Sequence, residues 1–219
     1  NADLIFDIPG QTIERWKQDL KTLVELEPEH ISTYSLTVEK QTNLFKLVQA
    51  GRVTMPSETL DISMYTHSLD FLKQKKYLQY EISNHSKEDY TCKHNLHYWK
   101  NDPYISFGPS AHSYDMNKRW WNINNLTQYS KSIKNNELPI QNEELLTDKD
   151  HFNELIFNGL RMQSGVKIEN LEKYYNDSIT DYIELNMKKW DGLNYENGFF
   201  FLDDNARLLA DEIASDLFI

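Results

Sequence analysis

The sequence predicts an α/β unit followed by a mostly helical domain, α+β when the chain is taken as a whole. Three observations lead there. A strand–helix–strand pattern with short links occupies residues 2–38, helical periodicity dominates from about Asn124, and residues 193–202 read as a hairpin set among those helices. Consecutive strand and helix patterns with short links imply a right-handed βαβ crossover and parallel strands. The expected domains are therefore residues 1–123 and residues 124–219.

Residues 2–8 form a short apolar run closed by Pro9-Gly10, the pattern of a strand covered on both faces. Thr12 can cap the next helix, whose Ile13, Trp16, Leu20, Leu23 and Val24 recur at three- and four-residue steps. Pro28 ends it. Residues 31–38 return to strand, with Tyr34, Leu36 and Val38 alternating against Thr33, Ser35 and Thr37. A polar interior set of Thr33, Ser35 and Thr37 suits the mouth of an α/β barrel or sheet, where ligands sit beyond the carboxyl ends of strands. A strand with one solvated face explains the alternation equally well. A short helix is expected over 43–50, a longer one from Pro56-Ser57-Glu58 to about Lys75, a strand over 78–83 and a polar connection over 84–89. Gly108-Pro109 sets a turn. Helices follow over 126–133, 147–162, 168–175 and 179–190, then the hairpin with its turn at Glu196-Asn197-Gly198, then a helix over 205–217. Helices with a hairpin wing resemble a winged helix.

The net charge of −11 argues against nucleic acid as a partner. The winged-helix-like part agrees, because its last helix sets Asp203, Asp204, Asp211, Glu212 and Asp216 against Arg207. It reads as a structural or protein-docking element. At 39% hydrophobic and 13% aromatic, the 219 residues have material for a core. No apolar run approaches a membrane span. One cysteine allows no internal disulfide and fits a reducing, cytoplasmic setting. The opening Asn-Ala-Asp-Leu-Ile-Phe begins within a strand pattern, which predicts a C-terminal piece of a longer protein; an exposed sheet edge would then pair with a second copy.

The stretch Cys92-Lys93-His94-Asn95-Leu96-His97-Tyr98-Trp99 carries the chemistry. Imidazole, amide, phenol and indole groups all need partners when buried. Their concentration in eight residues suggests a binding site. His94 and His97 could share a metal if helical, with Cys92 or His112 as a further ligand. A pair of polar residues at a loop edge is the alternative, and it suits His97 better. His94, set among flat aromatics, suits a planar ligand with the imidazole as an axial ligand to iron. A lone Cys92 is more often a small apolar filler. Asp3, inside an apolar strand, needs a ribose hydroxyl, an amino group or a turn to partner its carboxylate.

The motifs Asp3-Leu4-Ile5-Phe6-Asp7-Ile8-Pro9-Gly10-Gln11-Thr12, Glu29-His30-Ile31-Ser32-Thr33-Tyr34-Ser35-Leu36-Thr37-Val38-Glu39 and Tyr80-Glu81-Ile82-Ser83-Asn84 come in this order. The Cys92–Trp99 stretch, Phe107-Gly108-Pro109-Ser110-Ala111-His112-Ser113 and Arg119-Trp120-Trp121-Asn122 follow. Together they resemble the oxygen-independent coproporphyrinogen III oxidase family of radical S-adenosylmethionine (SAM) proteins, across nearly the whole chain. The His-Asn-x-x-Tyr-Trp pattern at His94, Asn95, Tyr98 and Trp99 resembles the haem-chaperone branch, and the resemblance implies that these four residues bind haem. It also implies the last strands of a partial (β/α)6 barrel followed by a helical domain. Asp3 corresponds to a SAM-contacting aspartate, Thr37 to a position whose backbone lies near the adenosyl group, and His112 to one that closes over that cofactor. Asp7 stands where glycine is common, which predicts a differently shaped turn.

The family's Cys-x-x-x-Cys-x-x-Cys motif for a [4Fe–4S] cluster has no counterpart here, and Cys92 alone cannot supply three thiolates. This chain by itself is not expected to hold the cluster or cleave SAM. The resemblance implies a haem chaperone that passes haem to a recipient protein. The alternative is oxidative decarboxylation of coproporphyrinogen III to protoporphyrinogen IX, and a further one is a non-catalytic docking module.

Overall fold

In the computed structural model, which describes all 219 residues, β1 (Ala2–Phe6) lies parallel to β2 (His30–Ser35), with α1 (Ile13–Glu25) between them. Thr12 caps α1 by accepting from the Arg15 amide, and Glu14 places negative charge in the first turn. α2 (Asn43–Gln49) and α3 (Glu58–Gln74) follow, capped by Thr42 and Ser57. β3 (Leu78–Glu81) and β4 (Asn84–Ser86) form an antiparallel hairpin, and the sheet order is β1-β2-β4-β3. Helices α1 and α3 cover one face. Phe6, Trp16, Leu20, Ile31, Met64 and Leu72 are essentially fully buried there, each worth about 1.5–3 kcal/mol in transfer from water. The Trp16 indole N–H is shared between the Met64 carbonyl at 3.1 Å and Ser68 Oγ at 2.9 Å, so the largest core side chain leaves no polar atom unpaired.

Several expectations change here. β1 is covered on one face only: Asp3 is exposed and Ile5 is 47% exposed, because both helices pack against the opposite face of the sheet. The polar set of β2 is also inverted. Thr33 shares the helix-covered face with the fully buried Ile31, and Ser35 reaches Asp61 of α3 at 2.8 Å. His30, Ser32 and Tyr34 take the other face. Thr37 lies beyond the strand, which stops at Ser35, so residues 34–38 do not alternate as strand. Residues 84–86 are a strand inside the sheet and not part of a polar connection. Asn-His-Ser is too short and too polar to announce it. Asp7 holds φ of +60°, the left-handed turn that glycine would take, so the turn keeps the shape that the substitution was expected to alter. Burial and the nearby Asp61 raise its carboxyl above the usual range.

The chain divides into compact units at Asn1–Lys93 and His94–Ile219. The expected boundary at 123/124 falls within the second unit, because hydrogen bonds tie strands on either side of it into one sheet. α4 (Lys93–Trp99) enters this unit. β5 (His112–Tyr114), β6 (Lys118–Asn122) and β7 (Ile140–Leu145) form an antiparallel sheet in that order, with α5 (Leu126–Lys134) between the last two strands. α6 (Asp148–Arg161) begins at a capping box between Thr147 and Asp150. β8 (Val166–Lys167), α7 (Ile168–Leu171), α8 (Ile179–Lys189), β9 (Leu193–Glu196) and β10 (Phe199–Leu202) complete a helix–strand–helix–helix–hairpin order, the winged-helix-like pattern. A 3₁₀ turn at Ala206–Leu209 leads into α9 (Ala210–Asp216).

The hairpin turn has φ of 53° at Asn197 and 81° at Gly198, as a type I′ turn requires. A Cβ on Gly165 would sit 2.3 Å from the Phe200 carbonyl oxygen, so the turn from α6 into β8 requires glycine. α7 is shorter than the expected 168–175, and Tyr175 instead packs its ring on Phe152 and Tyr182 at 5.1 and 5.2 Å. No helix is long and apolar enough to cross a membrane.

Candidate functional site

The residues 93–99 wind into a single helix, and that decides which side chains stand together. His94 and Tyr98 share one face at i,i+4 spacing, and Asn95 and Trp99 share the next. The His94 ring is exposed and meets Tyr98 edge-on, with centroids 5.0 Å apart and planes at 83°. No side chain hydrogen-bonds or ion-pairs with it. A neutral imidazole in that position has a lone pair free for iron. Tyr98 meets Tyr104 at 4.7 Å, and Tyr104 meets Tyr114 at 6.0 Å, so an aromatic row runs inward from His94. The row is anchored by paired backbone hydrogen bonds between Tyr104 and Tyr114 of 2.8 and 2.9 Å. Burial pushes the Tyr114 phenol up to about 12, which keeps it neutral. Arg119 lies over the Tyr114 ring at 5.8 Å and is held by Glu154 at 2.7 Å.

His97 is occupied locally. Its Nδ1 faces the Asp102 carboxylate at 3.1 Å and its Nε2 faces the Pro103 carbonyl at 2.9 Å, so neither nitrogen is open to a metal. Cys92 is half-buried and precedes the helix. No group of three His, Cys, Asp or Glu side chains converges as a metal site anywhere in the chain, so Cys92, His94, His97 and His112 do not build one together. The Trp99 ring is half-buried beneath the Arg161 guanidinium at 5.1 Å, and its buried Nε1 has no acceptor.

The residues matched to SAM lie on or beside separate elements. Asp3 lies on β1, opposite Ser32, and accepts from Asn1 Nδ2 at 2.9 Å. Its exposed carboxylate corrects the expectation of a buried one. Thr37 is exposed just past β2. His112 opens β5 in the second unit, exposed and stacked on Trp121 at 5.6 Å.

Two sets of side chains escaped the sequence reading. On the sheet of the first unit, His30 is buried and bridges Asn1 Oδ1 at 2.6 Å and Tyr80 Oη at 2.9 Å, beside buried Ser32, Asn84 and Ser86. The segment Tyr80-Glu81-Ile82-Ser83-Asn84 marked this region without revealing that its side chains meet His30. In the second unit two adjoining clefts, of about 140 and 340 Å³, share Lys100, Asp102, Leu155 and Asn170 in their walls. They assemble from the residues after α4, from α6 and from residues 166–174, segments with no common motif.

The HemN C-terminal domain family model matches residues 146–209. The chain is 34% identical to the heme chaperone HemW of Bacillus subtilis, over 82% of this chain and 47% of that protein. It is 34% identical to the heme chaperone HemW of Lactococcus lactis, over 83% and 49%. It is 27% identical to the heme chaperone HemW of Mycobacterium tuberculosis, over 99% and 54%. The chain thus spans about half the length of the curated relatives it matches. Its fold aligns with Escherichia coli HemN, a coproporphyrinogen III oxidase described as a radical SAM enzyme, with a TM-score of 0.75 and 18% identity over 98% of this chain and 54% of that one.

Proposed function

We propose, from the premise that the chain belongs to the radical SAM HemN-like family and to its haem-chaperone branch, that it helps a haem chaperone to bind haem and hand it on. The observation that carries this reading is the 34% identity, across four-fifths of the chain, to proteins named heme chaperones. The geometry of α4 supports it. His94 offers an unpaired imidazole to iron, and Tyr98 gives the flat surface a porphyrin needs. Trp99 and Asn95 occupy the adjoining helix face as further contacts.

SAM, if bound by the intact protein, would meet Asp3 and Thr37 near β1 and β2, and His112. A [4Fe–4S] cluster does not fit this chain, whose one cysteine is half the number needed for even two thiolates, and no radical step is derived from its residues. The second reading, coproporphyrinogen III oxidation, is favoured by the fold shared with HemN. A recipient protein, a cytoplasmic setting and a second copy of the protein complete the proposal.

Haem titration of the intact protein tests it. The expected result is a saturable haem absorption band that shifts and weakens in His94→Ala. A wild-type protein that takes up no haem would overturn the chaperone reading, and an unchanged band in His94→Ala would remove His94 as the ligand. Anaerobic formation of protoporphyrinogen by the cluster-loaded protein would favour the oxidase.

A further inference from the structure

We infer that the two adjoining clefts beside α4 receive the propionate edge of the haem, with Lys100 and Lys173 as the groups that bind its carboxylates. This rests on the haem reading above and extends it from the iron to the opposite side of the ligand.

The first argument is charge. The chain carries a net −11, yet the walls of the two clefts hold Lys100, Lys167 and Lys173 against a single carboxylate, Asp102. Asp102 is already engaged with His97. Lys167 is paired with Glu169, so it is committed to local structure. Lys100 and Lys173 have no acidic hydrogen-bond partner; Lys173 donates to the neutral amide oxygen of Asn170 at 2.8 Å. Two ammonium groups facing clefts in a strongly acidic protein are a local attraction for anions.

The second argument is shape and polarity. Beside polar groups such as Asn101, His151 and Asn170, the walls carry apolar and aromatic side chains: Trp99, Met162, Val166 and Phe199 in one cleft, Tyr114 and Tyr174 in the other. Such a site selects a ligand that is flat and apolar with anionic groups on one edge, and free phosphate or a polar metabolite would leave these walls unused.

The third argument is position. Trp99 lies on the same helix as His94, five residues and about 7.5 Å further along the axis. Tyr114, in the wall of the smaller cleft, ends the aromatic row that begins at His94 and passes through Tyr98 and Tyr104. Lys100 directly follows α4 and lines both clefts, so the lysine and the His94 helix are parts of one continuous segment.

The test titrates haem, haem dimethyl ester and metal-free protoporphyrin IX into the intact protein and three variants, following porphyrin absorption. The esters remove the charge that the lysines are proposed to read. The wild type is expected to prefer haem over its diester by roughly tenfold or more, the scale of one charge-assisted hydrogen bond. K100E/K173E should abolish that preference and weaken metal-free protoporphyrin in parallel, while K100R/K173R should keep both. H94A should weaken haem but leave the lysine dependence of protoporphyrin intact. If the wild type binds haem and K100E/K173E still discriminates against the diester as the wild type does, the cleft assignment fails and the haem reading stands. If the wild type binds none of the three porphyrins, the haem reading fails and the cleft assignment with it.

Discussion

The two compact units differ in where their unpartnered buried polar atoms lie. In the second unit the helical core closes its buried polar side chains onto the fold, whereas Trp99 Nε1 and Arg161 Nε beside α4 lack an acceptor. Tyr182 Oη donates to the Leu217 carbonyl at 2.6 Å, Asn186 to the Tyr182 carbonyl at 2.8 Å, and Asn122 to the Gly108 carbonyl at 3.0 Å. Around them Phe152, Ile156, Leu160, Phe200 and Ile213 are fully buried. In the first unit the sheet buries His30, Ser32, Thr33, Asn84, His85 and Ser86, and Thr33 Oγ1 and both nitrogens of His85 lack a well-formed hydrogen bond. Thr33 and His85 share the helix-covered face of the sheet with Ile31, whereas His30, Ser32, Asn84 and Ser86 share its other face. In the first unit the unpartnered atoms named lie between sheet and helices, whereas in the second Trp99 Nε1 and Arg161 Nε lie at α4, within the candidate site.

Substitutions can break or sharpen this contrast. The largest effect is expected in the saturated core. Phe152→Ala removes a ring that packs edge-on against Tyr182 at 5.3 Å and should lower stability by about 3–5 kcal/mol, read from urea unfolding followed by circular dichroism. A loss below about 1 kcal/mol would show that this core relaxes freely and would blur the distinction.

Next comes His85, 1% exposed, whose pKa is pushed down to about 4, first by burial and then by the neighbouring His30. The nearby Ser83 backbone offsets only part of the burial effect. An unfolded imidazole titrates near 6.5, so as pH falls below about 6.5 the unfolded chain takes up a proton that the folded chain refuses. The stabilisation is complete above that pH and is lost toward about pH 4, at about 1.4 kcal/mol per pH unit where the slope is steepest. Unfolding midpoints measured across this window should fall for the wild type and flatten in His85→Gln; equal slopes would place the proton elsewhere.

The smallest effect is at Asp7. Asp7→Gly relieves a left-handed φ and the repulsion from Asp61, and is expected to raise stability by about 0.5–1 kcal/mol. A destabilised variant would mean that the Asp7 carboxylate has a partner worth more than the strain.

Local patterns were legible in the sequence wherever one element's own chemistry settled them. The stripe of Trp16 and Leu20, the caps Thr12, Ser57 and Thr147, and the Asn197-Gly198 turn each act within a few residues, so the chain encodes them directly. The placing of His94, Asn95, Tyr98 and Trp99 on one short helix is likewise local. What eluded it depended on parity and partners. Thr33 reads as polar and inward, but the face it takes is fixed by where α1 and α3 lie, and a one-residue change in parity exchanges every side chain between faces. β4 is three polar residues that become a strand only because β2 and β3 stand on either side of it. His97 reads as a loop-edge residue in the sequence, but its partners, Asp102 and Pro103, are named only by the structure. The sequence by itself determined most of the helices, the caps and the acidic balance. Tertiary structure decided which faces of the strands are inside and which lysines surround one cleft, because burial and long-range charge arise only when distant segments exclude water together.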